Sequence, residues 1–269
     1  MYTLILSPHL DDALYSMSSF LTSHCGNVII ATLFTKEVPN NYTGVFGFYA
    51  NMPVRKIEDR DAINKVRDLN MQIDILVKYL DLPDQIFRDK NFPINDLIYE
   101  KMVELRNTYN INKVFCPLGI GEHYDHVLTY NNCNLVFRPE ITYFYFDYPY
   151  CTLNLNVQKR LKSLALTQEE CVDHTDLIDY FTDPIYSSRP WYIHIFYTLW
   201  NAFISWFSCC TYKKNKYVTY SYIAVPETKY KIISKYSSQI NPIFSASSNM
   251  MHVLQNNKKE NYIKIQYNS

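Results

Sequence analysis

Near the start of the chain, two short apolar runs flank a segment that is long enough for a helix. Thr3 to Leu6 forms the first run and Val28 to Phe34 the second, with Asp11 to Ser23 between them. Neither run alternates with polar residues, which is typical of strands buried on both faces of a parallel sheet. A strand, a helix and a second parallel strand form a β-α-β unit. The opening therefore predicts an α/β domain with a doubly wound, mostly parallel sheet.

The rest of the chain predicts further helices and strands around this unit. Apolar residues recur close to a 3.6 period from Asp59 to Leu80, which predicts one long amphipathic helix. A second helix is predicted from Ile98 to Tyr109, and a short strand at Lys113 to Cys116. Composition predicts three more strands, of which the last has the weakest pattern: Ile141 to Phe146, Tyr217 to Val225 and Tyr262 to Tyr267. Residues 245–269 are polar on the whole, and we expect them to form a poorly ordered tail.

The segment from Trp191 to Tyr212 differs from the rest because it contains no Asp, Glu, Lys or Arg. Its polar residues recur at steps of four and three, so a helix here would carry them in one stripe on an otherwise apolar surface. A membrane crossing would separate the strand at Tyr217 to Val225 from the remaining sheet. We therefore favour a helix in a membrane interface or at an oligomer contact, and an ordinary core helix stays open. The expected organisation is one domain at residues 1–244, with this apolar insertion at about 186–214.

Charge and motif content exclude several classes of function. The 26 basic and 26 acidic side chains balance, which argues against a nucleic-acid partner. Only five glycines are present, and neither G-x-G-x-x-G nor the P-loop motif occurs. The first apolar run ends at Pro8 without a basic region before it, so no signal peptide is predicted. Seven cysteines without C-x-x-C spacing suit reduced thiols in the cytoplasm.

Imidazole and carboxylate side chains concentrate in two clusters, each directly after a predicted strand. The clusters are His9-Leu10-Asp11-Asp12 and His123-Tyr124-Asp125-His126. Loops at the carboxyl ends of neighbouring parallel strands are where α/β sheets bind ligands. Both side-chain types suit zinc or a similar divalent ion. Adjacent aspartates point in different directions, so we expect one of Asp11 and Asp12 to bind the ion and the other to act as a base.

Each cluster alone also fits an ordinary structural role. His9 can orient a loop, and Asp11 or Asp12 can cap the following helix. Other hydrolase signatures are missing, because the chain has neither H-E-x-x-H nor G-x-S-x-G. The H-x-H-x-D-H motif of metallo-β-lactamase-like hydrolases requires a histidine where this chain has Gly121. The two clusters in combination therefore favour a different kind of metal site.

The two clusters and their surroundings resemble the LmbE-like family, which includes the N-acetylglucosaminyl-phosphatidylinositol de-N-acetylases (PIG-L) and bacterial deacetylases of thiol and glycan biosynthesis. The matching stretches are residues 7–14 and 117–129, with weaker matches, in family order, at Arg55-Lys56-Ile57-Glu58, residues 145–150 and Tyr236-Ser237-Ser238-Gln239. The chain departs from the family at Ala13, where most members have Glu, and at Ser18 and Ser19, where many have glycines. The segment from Trp191 to Tyr212 is also outside the family pattern.

The resemblance implies a Rossmann-like α/β domain that holds one zinc, or another divalent cation, at the carboxyl ends of its strands. The implied activity is removal of an acetyl group from an N-acetylated sugar or glycoconjugate. The implied metal ligands are His9, Asp12 and His126, and Asp11 is the implied general base. The other implied roles are His123 for oxyanion stabilisation or acid catalysis, Asp125 for orienting His123 and tuning its pKa, and Arg55 for contacting the substrate.

Two other functions remain open at the level of the sequence. The chain can be a catalytically silent member of the fold that binds a sugar or a partner protein. The same site can also hydrolyse an amide or ester that is not part of a sugar. In either case we expect a cytoplasmic protein, with Trp191 to Tyr212 as a lid, an oligomer contact or a contact with a membrane surface.

Overall fold

Helices and strands alternate along much of the chain in the computed structural model, which describes residues 1–38, 47–89, 91–168, 215–244 and 247–267. The strands are β1 (Tyr2–Ser7), β2 (Gly26–Thr32), β3 (Ile73–Tyr79), β4 (Ile111–Pro117), β5 (Thr142–Tyr145), β6 (Leu166–Gln168), β7 (Asn215–Ile223) and β8 (Lys259–Gln266). The α-helices are α1 (Asp12–Ser23), α2 (Gly47–Ala50), α3 (Met52–Leu69), α4 (Ile94–Thr108), α5 (Tyr124–Val136), α6 (Asn154–Ser163), α7 (Pro226–Ile233), α8 (Ser237–Phe244) and α9 (Ser247–Asn256). Short 3-10 helices lie at Gln85–Phe87, Pro139–Ile141 and Tyr150–Thr152.

All eight strands belong to one sheet, in the order β3-β2-β1-β4-β5-β8-β7-β6. The first five strands in this order are mutually parallel, and β6 is parallel to β7. Only β8 runs antiparallel to its neighbours, β5 and β7. The predicted α/β class and mostly parallel sheet are therefore confirmed.

Helices cover both faces of the sheet, which explains why β1 is apolar throughout. Leu4 and Leu6 point into a core that α4, α5 and α6 complete, whereas Ile5 points into a second core completed by α1, α3, α7, α8 and α9. All three side chains are fully buried. A strand whose two faces are both covered cannot alternate apolar with polar residues.

The single long helix predicted from Asp59 to Leu80 is wrong in its second half. Helix α3 ends at Leu69, and Ile73–Tyr79 forms strand β3, which pairs with β2 over its whole length. The side chain of Asn70 holds the turn between them, because its amide donates to the backbone carbonyls of Leu21 and His24. Apolar residues in the strand happen to continue the helical period, so periodicity alone cannot separate the two elements.

The predicted tail at residues 245–269 is also wrong, because this segment supplies α9 and β8. The strand predicted weakly at Tyr262 to Tyr267 overlaps β8. Strand β8 lies inside the sheet with Ile263 and Ile265 buried. Its Glu260 is 5% exposed and forms an ion pair with Lys229 at 2.9 Å. The same carboxylate accepts hydrogen bonds from the Ser18 hydroxyl and the Ser19 backbone N–H, both at 2.8 Å. The serines that depart from the family pattern thus bind the C-terminal strand.

The predicted apolar insertion at about 186–214, with Trp191 to Tyr212, lies outside the described residues. Within the part of the chain that is described, no helix is long and apolar enough to span a membrane. Four of the seven cysteines fall in that part, and all four are free thiols: Cys25, Cys116, Cys133 and Cys151.

Candidate active site

The fold brings the two sequence clusters to one edge of the sheet. Strands β1 and β4 are parallel neighbours, with Leu4 opposite Val114 and Ile5 opposite Phe115. The chain leaves β1 after Ser7 and β4 after Pro117, so both following loops lie at the same edge. From this point β2 and β3 extend the sheet in one direction and β5 in the other, which makes it the topological switch point where open α/β sheets bind ligands.

His9, Asp12 and His126 converge at this switch point. Oδ2 of Asp12 lies 3.1 Å from Nδ1 of His9 and 3.2 Å from Nε2 of His126. One donor atom from each of the three residues lies within 4.8 Å of the others. Two imidazole nitrogens and a carboxylate oxygen are a donor set that suits zinc or another divalent ion with a further position open to water or substrate. These residues are the ligands that the sequence resemblance implies.

Asp147 fixes the orientation of His126 from behind. Its Oδ1 lies 2.6 Å from Nδ1 of His126, and its Oδ2 accepts the backbone N–H groups of Gly119 and Ile120 at 2.8 Å each. Because a carboxylate accepts the Nδ1 proton, Nε2 is the ring nitrogen that faces the cluster and is available to bind a cation. Sequence reasoning assigned no role to Asp147, although it follows β5, another of the parallel strands that end at this edge.

The other side of His9 faces the loop after β3. Nε2 of His9 lies 3.5 Å from Asp84 and 3.4 Å from Oδ2 of Asp125. Asp125 is fully buried, lies 2.6 Å from the Arg88 guanidinium and accepts the Gln85 backbone N–H at 2.9 Å. Sequence reasoning missed Asp84, Gln85 and Arg88, which follow β3, the strand predicted as helix.

The expected orientation of His123 by Asp125 is not made through a hydrogen bond. Among the described residues, the carboxylate of Asp125 forms an ion pair with Arg88 and hydrogen bonds with the Gln85 backbone N–H and His9, because the loop after β3 lies against it. Nδ1 of His123 is buried without a hydrogen-bond partner in the same part of the chain. Burial, together with the neighbouring His9 and His126, lowers the pKa of His123 to about 3. Its imidazole is therefore neutral near pH 7 and can donate one N–H.

Asp11 has an environment different from that of Asp12. It occupies the N-cap position of α1, but its side chain makes no capping hydrogen bond, so helix capping does not explain it. Its ionic partner is Arg55, whose guanidinium lies 3.7 Å away. Burial and the charge of Asp12 raise the pKa of Asp11, and Arg55 and His9 oppose this rise. A buried carboxylate with a raised pKa that caps no helix has the properties of a general base.

Among the converging residues, the charge of each side chain shifts the pKa of its neighbours. Burial opposes ionisation, yet the adjacent His126 and His9 hold the pKa of Asp12 well below its usual range. Burial likewise works against charge on His126, but Asp12 and Asp147 raise its pKa to about 9. The carboxylates thus attract positive charge to the space between the rings, and a divalent cation held there would replace the imidazole protons.

A cavity of about 260 Å³ opens beside this cluster. Arg55, which the sequence resemblance places against the substrate, lies in its wall and is 4% exposed. Four tyrosines contribute to the wall, so the cavity combines carboxylates with aromatic rings. The lining residues are His9, Asp11, Asp12, Tyr15, Tyr49, Arg55, Asp84, Ile86, His123, Tyr148, Pro149, Tyr150, Gln239 and Ile243.

The whole chain is similar in structure to solved deacetylases. An A40926 pseudoaglycone deacetylase gives a TM-score of 0.65 at 16% identity, over 99% of this chain and 98% of that chain. A deacetylase of the teicoplanin biosynthesis pathway gives 0.64 at 15% identity, and the zinc-inhibited form of a teicoplanin deacetylase gives 0.62 at 15%, each over 100% of both chains. The chain has the fold of these deacetylases.

The similarity is one of fold and not of overall sequence. Neither a protein-family model nor a curated protein matches the sequence. The resemblance to the LmbE-like family therefore depends on the two motifs around His9 and His123.

Proposed function

We propose that this chain belongs to the LmbE-like family and is a metal-dependent N-deacetylase of an N-acetylated sugar or glycoconjugate. The proposal depends on one observation: two imidazoles and a carboxylate converge at the switch point beside Asp11. The Asp11 carboxylate is buried and makes no capping hydrogen bond to helix α1. It is supported by the shared fold, since the solved structures of that fold are named as deacetylases of the A40926 pseudoaglycone and of teicoplanin.

His9, Asp12 and His126 would hold the cation, with zinc as the first choice because of the nitrogen-rich donor set. A divalent cation at this position would act as a Lewis acid that polarises the acetamide carbonyl and lowers the pKa of water. Asp147 supports such binding from the protein side, because it accepts the Nδ1 proton of His126 and leaves Nε2 as the nitrogen that would give up its proton to a cation.

Asp11 would carry the proton during amide hydrolysis. It takes a proton from the attacking water as the oxygen bonds to the acetamide carbonyl carbon. It then gives this proton to the nitrogen as the C–N bond breaks, so that acetate and a free amine leave. Arg55 holds the Asp11 carboxylate from the side of the cavity. The neutral His123 donates its N–H to the carbonyl oxygen as negative charge develops there.

The cavity wall supports a sugar as the acylated amine. Tyr15, Tyr49, Tyr148 and Tyr150 provide flat aromatic surfaces of the kind that pack against sugar rings, and Arg55 offers hydrogen-bond donors. A volume of about 260 Å³ suits one ring and its acetamide better than an extended glycan. The domain that holds the site extends along the sequence to the end of β8. A cytoplasmic location remains a prediction.

Acetate release from a panel of substrates tests the proposal. The probes are N-acetylglucosamine in free, nucleotide-linked and lipid-linked forms, each with and without a chelator. We expect release from at least one probe, loss with chelator and recovery on adding Zn²⁺. Asp11→Asn should lower the rate by a factor of roughly 10² to 10⁴ while the metal content of the protein is unchanged.

Full activity in Asp11→Asn, or activity that resists a chelator, would contradict the proposed mechanism. Metal binding without acetate release from any probe would favour the alternative of a silent, sugar-binding member. If N-cyclohexylacetamide is added to the panel as a probe that is not a sugar, release of acetate from it alone would favour the other alternative.

A further inference from the structure

Besides Nδ1 of His123, two neutral polar atoms in the cavity wall lack a hydrogen-bond partner among the described residues. They are the hydroxyl oxygen of Tyr15 and Oε1 of Gln239, and each side chain belongs to a residue only 1% exposed. Buried polar atoms in folded proteins are nearly always paired, because an unpaired one costs free energy. Two such atoms in the wall of one cavity therefore point to a ligand that pairs with them.

The side-chain amide of Gln239 is held with its oxygen free. Its Nε2 donates to the hydroxyl oxygen of Ser238 at 2.7 Å. That hydroxyl uses its own proton on Oε2 of Glu58, at 2.6 Å, so it can only accept from Gln239. The amide nitrogen must therefore face Ser238, and the carbonyl oxygen remains available as an acceptor.

Glu58 also accepts hydrogen bonds from the first two residues of helix α8. Its Oε1 accepts the hydroxyl of Ser237 and the backbone N–H of Ser238, at 2.7 Å and 2.8 Å. Glu58 lies on α3, one turn after Arg55, so one helix contributes a cavity side chain and positions another. The orientation of Gln239 is thus determined by contacts outside the cavity.

Tyr15 complements Gln239 as a donor. Its ring packs edge-on against Tyr236 and Phe244, with centroids 5.5 Å and 6.0 Å apart, which fixes the direction of the hydroxyl. Burial raises the pKa of Tyr15 well above its usual value, so the phenol keeps its proton at any physiological pH. The wall then presents a fixed acceptor and a protonated donor.

We propose that Gln239 and Tyr15 form a specificity subsite for ring hydroxyl groups of the acylated substrate. Substrate hydroxyls donate to Gln239 and accept from Tyr15, and a ring without hydroxyls would leave both atoms unpaired. The proposal deepens the proposed function and rests on it, in that the acylated amine is the ligand of this cavity. This subsite selects a hydroxylated ring over an apolar ring that carries the same acetamide.

Binding measured without turnover tests the subsite. The protein is the zinc-loaded chain in an Asp11→Asn background, and the two probes are N-acetylglucosamine and N-cyclohexylacetamide, which has the ring and the acetamide but no hydroxyls. We expect calorimetry to give at least ~30-fold tighter binding of the sugar. Gln239→Met and Tyr15→Phe should each reduce this preference about tenfold, the effect of losing roughly one hydrogen bond.

Two further variants separate recognition from general damage. Ser238→Ala releases the amide of Gln239 and should lower the preference without removing any atom that faces the cavity. Tyr79→Phe removes a hydroxyl that donates to Asp59 outside the cavity, and should leave the preference unchanged. Thermal unfolding of each variant shows whether it is folded.

Equal binding of both probes by the parent protein, or binding of neither, would overturn the subsite. So would an unchanged preference when both Gln239→Met and Tyr15→Phe are folded. A clear preference for the sugar in a chain that releases no acetate would instead contradict only the proposed function.

Discussion

His126 has its two ring nitrogens in different surroundings, and this difference decides what the residue can do. Nδ1 meets the Asp147 carboxylate at 2.6 Å, whereas Nε2 faces Asp12 at 3.2 Å. The same Asp147 also holds the loop of Gly119 and Ile120 by their backbone N–H groups. One buried carboxylate therefore fixes both a candidate ligand and the loop that leads to it.

Asp147→Asn should weaken zinc binding by a factor of roughly 10 to 100, because the amide no longer stabilises the proton on Nδ1. Competition with a chromophoric chelator measures the affinity. Asp74→Asn changes an exposed carboxylate on β3 and serves as the control. An affinity equal to that of the unmodified chain would show that Asp147 does not support a metal ligand.

Asp59 gives a prediction about pH and stability. It is 1% exposed and accepts hydrogen bonds from the hydroxyls of Tyr79 and Tyr236, yet burial raises its pKa to about 7. The folded chain therefore holds a proton that the unfolded chain has already lost above about pH 4. The contribution of Asp59 to the free energy of unfolding is greatest below that pH and is lost as the pH rises to about 7.

Asp59→Asn should remove this dependence. Between about pH 5 and pH 8, the free energy of unfolding of the original chain should fall by ~3 kcal/mol relative to Asp59→Asn. Urea unfolding at several pH values measures the difference. Asp61→Asn, an exposed position on the same helix, should follow the original chain at every pH. If the free energy of unfolding of Asp59→Asn changes with pH in the same way as that of the original chain, the raised pKa of Asp59 is refuted.

The residues that the sequence can predict are those inside its two motifs. His9, Asp12 and His126 belong to clusters that follow predicted strands, the family resemblance implies them as ligands, and the fold places them together. Asp147 and Arg88 cannot be assigned in this way. Their partners come from different loops, and only the order of the strands brings these loops to the same edge.

At the scale of elements, the loop from β4 to α5 depends on left-handed backbone conformations. Gly119, Gly121 and Glu122 have φ angles of +83°, +85° and +56°. Helix α6 braces this loop, because Arg160 donates to the carbonyl of Leu118 at 2.8 Å and Lys159 forms an ion pair with Glu122. The loop can therefore hold His123 at a defined place.

Gly121→Ala should disturb the site as well as the stability. An added Cβ would lie 2.8 Å from Cγ of Tyr150, a cavity residue, and 3.0 Å from its Cβ, so a flexible side-chain end cannot relieve the clash. Gly26→Ala is the matched control, since it also has a positive φ, of +118°, but its nearest neighbour is 4.0 Å away. In each variant, backbone strain should lower the free energy of unfolding by about 1 kcal/mol.

Overpacking should lower the free energy of unfolding of Gly121→Ala by roughly 1–3 kcal/mol more. The same variant should also lose most of its acetate release. Urea unfolding and the acetate assay provide the two measurements, and Gly26→Ala should retain full activity. Equal effects of the two substitutions on both measurements would show that the contact with Tyr150 is unimportant.

Element boundaries show where sequence reasoning reaches its limit. The β-α-β opening is predicted correctly, because apolar runs on both sides of a helical segment are typical of strands buried in a parallel sheet. The boundary between α3 and β3 is missed, since Ile73 and Leu76 continue the helical spacing although they lie in a strand. Strand β8 is predicted only weakly and in part, at Tyr262 to Tyr267, because charged and polar residues alternate there with Ile263 and Ile265.

At the scale of the whole molecule, β8 joins two parts of the sheet. It pairs with β5 on one side and with β7 along its whole length on the other. Its buried Glu260 also links α1 to Lys229 of α7. The sheet is therefore continuous only when residues 259–266 are present.

A chain that ends at residue 244 should not fold cooperatively. Removing α9 and β8 exposes both neighbouring strands and leaves Lys229 buried without its partner, a loss of about 3–5 kcal/mol for the ion pair alone. Circular dichroism and urea unfolding test this, with a chain ending at Tyr267 as the control. A cooperative transition in the shorter chain would restore the interpretation of residues 245–269 as a tail.

The position of β8 also affects how the protein is made. Strands β5 and β7 leave the ribosome long before β8, and until then each presents a row of unpaired backbone groups along one edge. Such edges can pair with other strands and so promote aggregation. The sheet of the nascent chain therefore cannot close until residues 259–266 have emerged, and the chain is expected to depend on chaperones during that interval.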